Sequence, residues 1–230
     1  MKLPVLISVP HAGLRLPAEV EAYCALTPEQ ILEDSDEGAA EIYAFEETVT
    51  AFVTTDIARA VVDLNRPEND RSPDGIVKTR TCWDVPVYSQ SLPEELQETL
   101  IECYYHPYHS RLTELASSAI LGVDCHTMST VGPPLGPDPG CHRPNICLSN
   151  ANGTCPPYWF DRLIGCFQEV FQTEVSANSP FKGGHIIRTH ACELPWVQLE
   201  LSKAPFLSLT EKHEQVLQAL LVFCGSLSKR

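Results

Sequence analysis

Short apolar runs along this chain end in polar, chemically active side chains. Runs of about four to eight apolar residues predict buried strands. In open α/β sheets, ligands bind beyond the carboxyl ends of the strands. We therefore expect the histidines, arginine and carboxylate at these ends to meet in one pocket. The predicted strands are Val5–Val9, Ala51–Thr54, Ala60–Leu64, Ala119–Cys125, Asn145–Leu148, His185–Arg188 and Val197–Leu201.

Helix-like segments alternate with these strands, which is typical of a layered α/β domain. Thr27 with Gln30, and Ser91 with Glu94, match the capping box that begins a helix. Further helices are predicted over 37–48, 157–172 and 210–224. Residues 129–143 are rich in Pro and Gly, which exclude a helix or a central strand. This segment leaves directly after His126, so it is either a loop that borders the pocket or a solvated connector.

The composition indicates a single domain over residues 1–230. At 230 residues and 43% hydrophobic content, the chain can bury one full core. Its 16 Lys and Arg against 30 Asp and Glu give a net charge of -14, which argues against nucleic acid or an anionic membrane as a partner. No run reaches transmembrane length and no export signal is evident. The ten cysteines form no Cys-x-x-Cys pair, so we expect reduced thiols and a cytoplasmic location.

Seven motifs stand in order along the chain between residues 9 and 201. They are Val9–Gly13, Asp36–Ala39, Val62–Pro67, Tyr105–His109, Asp124–Met128, Arg143–Leu148 and Gln198–Leu201. In these motifs and in their order, the chain resembles the N-formylglutamate amidohydrolases. That family in turn resembles zinc carboxypeptidases and aspartoacylases. The resemblance implies a three-layer αβα fold, zinc-carboxypeptidase-like, around a largely parallel or mixed sheet of eight strands.

A catalytic zinc takes three ligands from His and carboxylate and leaves a fourth position for water. The predicted metal ligands are His11, Asp36 and His126. Carboxypeptidases take a glutamate three residues after their first histidine, but Leu14 stands at that place here. Asp36 is therefore the predicted carboxylate ligand, with Asp34 and Glu37 as alternatives. The structural interpretation of Asp36 is an N-cap of the helix that follows it. The same donors could hold manganese, iron or cobalt in place of zinc.

The resemblance also implies roles in catalysis. Glu200 lies inside an apolar strand, where a carboxylate is costly unless it is paired or faces a pocket. The matching glutamate of the resembling enzymes takes a proton from the metal-bound water and passes it to the leaving amine, so Glu200 is the predicted general base and acid. Arg59 resembles an arginine that polarises the scissile carbonyl. For both Glu200 and Arg59, the alternative interpretation is a structural ion pair.

Substrate binding is predicted to depend on basic side chains. Asn65 and Arg66 match a pair that holds a substrate carboxylate, since a guanidinium fork fits two carboxylate oxygens in one plane. Formylglutamate has a second carboxylate, for which Arg188 is preferred over Lys182. Pairing of Arg188 with an acidic side chain of the protein is the other reading.

The sequence thus predicts a zinc-dependent amidohydrolase that cleaves an N-acyl, expected N-formyl, amino acid such as N-formylglutamate. Its partner would be that small molecule, and the oligomeric state stays open. Two other classes are kept. One is a thiol hydrolase with Cys125 or Cys192 as nucleophile. The other is a non-catalytic protein that binds a carboxylate-containing small molecule through Arg66.

Overall fold

A mixed sheet of six strands forms the centre of the computed structural model, which describes residues 2–227. The strands are β1 (Leu3–Val9), β2 (Val49–Thr54), β3 (Leu121–Met128), β4 (Ile146–Ser149), β5 (Ser176–Ala177) and β6 (Trp196–Ser202). Their order is β2-β1-β3-β6-β4-β5, and β4 and β5 run opposite to the other four. The predicted mixed α/β fold is confirmed, but the described residues form six strands where the resemblance implied eight.

Helices connect these strands and cover both faces of the sheet. They are α1 (Pro28–Asp34), α2 (Ala39–Ile42), α3 (Glu94–Leu100), α4 (His106–Ala116), α5 (Pro157–Phe171), α6 (His185–Thr189) and α7 (Leu209–Leu227), with a π-helical segment (Ile101–Tyr105) between α3 and α4. Within residues 2–227, no helix combines the length and the apolar character needed to cross a membrane.

Two separate cores hold the layers together. Val5 and Val123 point to the face that packs against α2, α5 and α7. Leu6 and Trp196 point to the opposite face, which α1, α3, α4 and α6 cover. Successive side chains of a strand alternate between faces, and burial of their apolar area stabilises both interfaces. The result is the predicted three-layer αβα arrangement.

On the second face, polar residues replace apolar ones toward the carboxyl ends of the central strands. In β6, Trp196 is followed on the same face by Gln198 and Glu200. In β3, Asp124 and His126 occupy the paired positions, because the register places Asp124 beside Gln198 and His126 beside Glu200. This end of the sheet therefore presents a buried polar surface.

Two predicted strands were wrong. Ala60–Leu64 forms buried turns, with one isolated bridge from Val62 to Val77, and its apolar side chains join the second core. His185–Arg188 belongs to α6, whose first turn is fixed by a hydrogen bond from the backbone N–H of Ile186 to Asn65 Oδ1 (2.8 Å). A short apolar run is compatible with a strand or with a buried helical turn, and tertiary contacts decided for the turn.

The predicted helix starts had mixed outcomes. The capping box at Thr27 is confirmed, with Gln30 Oε1 accepting from the Thr27 N–H at 2.9 Å. Ser91 does not cap a helix, because α3 begins at Glu94 and its N-cap is Pro93, which follows the serine in the chain. The helix expected over 37–48 is reduced to α2, since Tyr43 turns inward and its hydroxyl donates to the His126 carbonyl (2.8 Å).

Candidate functional site

Three side chains meet at the carboxyl end of the sheet and form what we call the ligand cluster. His11 follows β1, Asp36 follows α1 and His126 belongs to β3. Their candidate ligand atoms all lie within 4.8 Å of one another, and no other group of this kind occurs in residues 2–227. Asp36 Oδ2 is 2.9 Å from Nδ1 of His126 and 3.5 Å from Nδ1 of His11. All three residues are buried.

A carboxylate lies behind each imidazole of the ligand cluster. His11 Nε2 is 2.8 Å from Asp63 Oδ1, and His126 Nε2 is 2.8 Å from Asp124 Oδ2. An ionised carboxylate only accepts hydrogen bonds, so Nε2 of each ring carries a proton. Nδ1 is the nitrogen that faces Asp36, and it is the nitrogen left for a metal ion, which is how carboxylates orient histidine ligands in metal sites. Sequence reasoning assigned no role to Asp63 or Asp124, although both are acids that follow apolar runs.

The electrostatics of the ligand cluster fit a divalent cation. Burial opposes ionisation of Asp36 and Asp63, but neighbouring imidazoles, together with arginines at Asp63, hold the pKa of both carboxyls far below its usual range. Burial also opposes a charge on His126, yet the carboxylates of Asp124 and Asp36 raise the pKa of this imidazole well above its usual value. Several buried anions thus surround two imidazoles, and a metal ion would take the place of their proton.

Glu200 faces the same region and is oriented by Gln198. The backbone N–H of Gly184 donates to Gln198 Oε1 (2.5 Å), so the amide NH₂ of Gln198 must point the other way. That NH₂ donates to Glu200 Oε1 at 2.7 Å. Burial raises the pKa of Glu200 to about 7, while His126 and the Gln198 hydrogen bond act to lower it. A carboxylate with a pKa near neutrality can both accept and release a proton.

Arg59 and Arg66 reach the cavity from the turns around Asp63. Arg59 Nε donates to Asp63 Oδ2 at 3.2 Å, and Arg59 Nη1 is 3.8 Å from Asp36 Oδ1. Arg66 Nε donates to the Asp74 carbonyl at 2.8 Å, and Arg66 Nη2 donates to the Asp74 carboxylate. Both arginines line the cavity. The structure thus places these two predicted site residues beside the ligand cluster.

A buried lysine that the sequence did not single out supports Arg66. Lys78 is fully buried, and its Nζ is 2.7 Å from Asp74 Oδ1 and 3.1 Å from Asp34 Oδ2. Asp34 also accepts from the backbone N–H of Cys82 (2.7 Å). Asp34, an alternative metal ligand in the sequence, is therefore committed to this network. Lys78 therefore pairs with the same aspartate that accepts hydrogen bonds from Arg66.

Asn65 lies in the cavity wall, where most of its amide is used within the protein. Its Nδ2 donates to Asp124 Oδ2 (3.1 Å), and its Oδ1 accepts from Ile186. Gly184 packs so closely that an added Cβ would lie 2.4 Å from Asn65 Nδ2. The Asn65 Nδ2 also lies 3.2 Å from His126 Nε2, so Asn65 joins α6 to the ligand cluster.

Arg188 is not brought to the cavity. Its exposed guanidinium donates to the carbonyls of Gly183 and Lys182, both at 3.2 Å, and the residue is absent from the cavity lining. The neighbouring Lys182 does line the cavity. Gly183 has a φ of +96°, and Gly184 approaches Asn65 closely. Arg188 braces the segment that carries Lys182.

The ligand cluster, Glu200 and the arginines open into one cavity of about 500 Å³. Pro133 and Leu135 of the 129–143 loop form part of its wall, and the backbone N–H of Leu135 donates to the Cys82 carbonyl (3.1 Å). Arg143, at the end of the loop, is paired with Asp138. The loop therefore borders the site, which is one of the two roles that the sequence left open for it. A cavity of this size suits a small-molecule ligand.

The thiols of the alternative hydrolase are not at the cavity. Cys125 is fully buried in the core on the opposite face of β3 from His126, and burial raises the pKa of its thiol well above the usual value. Cys192 is exposed and does not line the cavity. Thiol nucleophiles act as accessible thiolates. Neither cysteine is therefore placed to attack a substrate held there.

Comparisons with known proteins agree with the resemblance carried by the motifs. N-formylglutamate deformylase of Pseudomonas putida is 31% identical in an alignment 256 positions long, which spans 96% of this chain and 94% of that protein. N-formylglutamate deformylase of Pseudomonas aeruginosa is 29% identical in an alignment 225 positions long, which spans 90% of this chain and 83% of that protein. The crystal structure of N-formylglutamate amidohydrolase from Ralstonia eutropha has the same fold, with a TM-score of 0.81 at 19% identity over 99% of this chain and 95% of that one.

The match to the family extends through the whole site. It covers residues 3–207, which include β1 with His11, β3 with His126 and β6 with Glu200. The chain belongs to the N-formylglutamate amidohydrolase family.

Proposed function

We propose that this protein is a metal-dependent hydrolase that removes the formyl group from an N-formyl amino acid such as N-formylglutamate. The observation that carries the proposal is the ligand cluster, with a carboxylate behind each imidazole and Glu200 facing the same cavity. Two relatives named N-formylglutamate deformylase support the reaction.

Zinc is the metal that we propose. His11 and His126 would bind it through Nδ1, and Asp36 would bind it through Oδ2. Two imidazoles and one carboxylate form a set found at catalytic zinc sites, which keep one position open. When bound, such an ion acts as a Lewis acid and lowers the pKa of a bound water to about 7.

Glu200 is the proposed general base and acid. Hydrolysis adds water across the C–N bond of the formamide, so the hydroxyl goes to the formyl carbon and the proton goes to the amine. Glu200 would accept that proton on its carboxylate and deliver it to the leaving nitrogen, giving formate and the free amino acid. Gln198 holds the carboxylate at 2.7 Å throughout. Arg59 would face the carbonyl oxygen, where a fixed cation stabilises developing negative charge.

Arg66 is the proposed binding group for the α-carboxylate of the substrate. Asp74 accepts from Nε and from one N–H of Nη2, so both N–H groups of Nη1 and the other N–H of Nη2 remain for a ligand. The buried partner of Asp74, Lys78, keeps this arrangement rigid. A group held in place in advance loses less entropy when a ligand binds. Asn65, which lines the same cavity, is the proposed second contact of this carboxylate.

The proposal is tested by metal analysis and an assay of formate release from N-formylglutamate, with and without chelator. Glu200→Gln should keep its bound metal and its melting temperature while turnover falls by about 10²- to 10⁴-fold, as expected when a general base is lost. Glu98→Gln, an exposed glutamate of α3, is the matched control and should behave as wild type. Full activity in the metal-free protein would refute the metal requirement. Near-normal turnover of Glu200→Gln would refute the role of Glu200 as general base.

A further inference from the structure

The cations of the cavity fall into two classes. Five of them line it: Arg59, Arg66, Arg143, Lys182 and Lys203. Each arginine has a carboxylate partner, with Arg59 and Arg66 on Asp63 and Arg143 on Asp138. Among residues 2–227, neither lysine forms an ion pair with a carboxylate. Two lysines thus face one cavity without a carboxylate partner from the protein.

Lys203 is held at both ends. Its backbone N–H donates to the Met128 carbonyl at 2.8 Å, which continues the pairing of β6 with β3 by one residue. Its Nζ donates to the Ser35 carbonyl at 2.6 Å. An ammonium has three N–H donors, so one is used on a neutral acceptor and two remain with the full charge. The side chain is half-buried, and little entropy is lost when an anion binds it.

Lys182 approaches the same cavity from another wall. It precedes Gly183, whose φ of +96° sets the direction of the chain. Arg188 donates to the carbonyls of Lys182 and Gly183, which braces this segment. Lys182 is exposed and lines the cavity.

We propose that Lys182 and Lys203 bind the side-chain carboxylate of the substrate and thereby select acidic N-acyl amino acids over neutral ones. This inference rests on the proposed function. Arg66 is taken by the α-carboxylate, so a second carboxylate needs a second cation, and the two lysines are the cations without a partner. A neutral side chain of equal size would leave both ammonium groups unmatched, which is how a polar site rejects an isostere.

The test compares N-formylglutamate with N-formylglutamine, which has the same shape and no side-chain charge. The measured quantity is the ratio of the two kcat/KM values in the zinc-loaded enzyme. We expect wild type to prefer the acid by about 100-fold or more. Lys182→Met and Lys203→Met should each lower this ratio by about 10-fold, mostly through KM for the acid, and the double variant should bring it near one.

Controls separate lost charge from lost structure. Lys203→Arg should retain most of the preference, because it keeps a cation. Lys2→Met makes the same change at an exposed lysine that also donates to a backbone carbonyl, Glu46 O at 2.7 Å, and should leave the ratio unchanged. The kcat/KM for N-formylglutamine should not fall in the single variants, since only a contact specific for the charged substrate is removed.

The outcomes distinguish this inference from the proposed function. A wild-type enzyme that hydrolyses both compounds equally well, or a double variant that keeps the full preference, would overturn the role of the lysines and leave the hydrolase intact. A zinc-loaded wild type that hydrolyses neither compound would refute the proposed function itself.

Discussion

Asp124→Asn isolates the contribution of the carboxylate behind His126. Asp124 is fully buried, and its Oδ2 accepts from His126 Nε2 (2.8 Å) and from Asn65 Nδ2 (3.1 Å), while its Oδ1 accepts from Ser8 Oγ (2.8 Å). The amide has the same shape and keeps an oxygen that can face the ring. The substitution therefore removes the negative charge and leaves the packing in place. Asp63 is less suitable, since it also pairs with two arginines.

The expected magnitude follows from these contacts. A charged acceptor orients the His126 ring and makes its Nδ1 a better donor to a metal, and loss of such a partner costs about 10- to 100-fold in metal affinity. This range corresponds to about 1.4–2.7 kcal/mol. Because solvent does not reach Asp124, screening does not weaken the effect. We expect a fall in zinc affinity within this range, with a smaller effect on turnover once the site is saturated.

The assay is competition for Zn²⁺ between the protein and a chromophoric chelator, which gives a dissociation constant without any reference to activity. Melting curves in excess zinc check that the variant is folded. Asp161→Asn on the exposed surface of α5 is the matched control and should bind zinc as wild type does. A folded Asp124→Asn protein that binds zinc within twofold of wild type would show that the carboxylate does not support a metal ligand.

Two further substitutions test the positioning of the site. Gln198→Leu removes a donor to ionised Glu200 worth about 1.5–3 kcal/mol, so the pKa of this carboxyl rises by about one to two units. A base works only when deprotonated, and the acid limb of kcat/KM against pH should therefore move to higher pH; an unmoved limb would contradict the contact. Gly184→Ala forces a Cβ against Asn65 and should destabilise the fold by about 1–3 kcal/mol, whereas Gly153→Ala, with open space at its Cβ, should melt like wild type.

The position of the ligand cluster was accessible from sequence because strands impose a simple rule. Side chains alternate between faces, and the carboxyl ends of parallel neighbours lie at one edge. His11, His126 and Glu200 each stand at such an end, and the structure brings them to one cavity. Asp124 obeys the same rule and Asp63 lies in the turns that follow an apolar run, but neither was assigned a role. A sequence shows that a carboxylate is buried, yet it does not show which ring the carboxylate will face.

Arg188 shows why local pattern was insufficient elsewhere. Read as a strand, the segment His185–Arg188 sends its arginine toward the sheet edge. In the structure Asn65, which lies 121 residues from Ile186 in the chain, accepts from the Ile186 N–H and begins α6 there. The arginine then folds back onto the carbonyls of residues 182 and 183, and Lys182 takes the place at the cavity. A contact between residues distant in the chain therefore determined the secondary structure. As a result, Lys182 lines the cavity and Arg188 does not.

The charges of the cavity are separated in a way that relates metal binding to substrate binding. Asp36 lines the cavity beside the two imidazoles, and Asp63 and Asp124 lie behind those imidazoles. Burial keeps solvent from screening the three carboxylates. The walls of the cavity carry Arg66 and Lys203. A dianionic substrate that enters before a cation is bound meets the negative carboxylates as well as the positive walls. A divalent ion in the ligand cluster removes that repulsion, so electrostatics favours an order in which the metal binds first and the anionic substrate second.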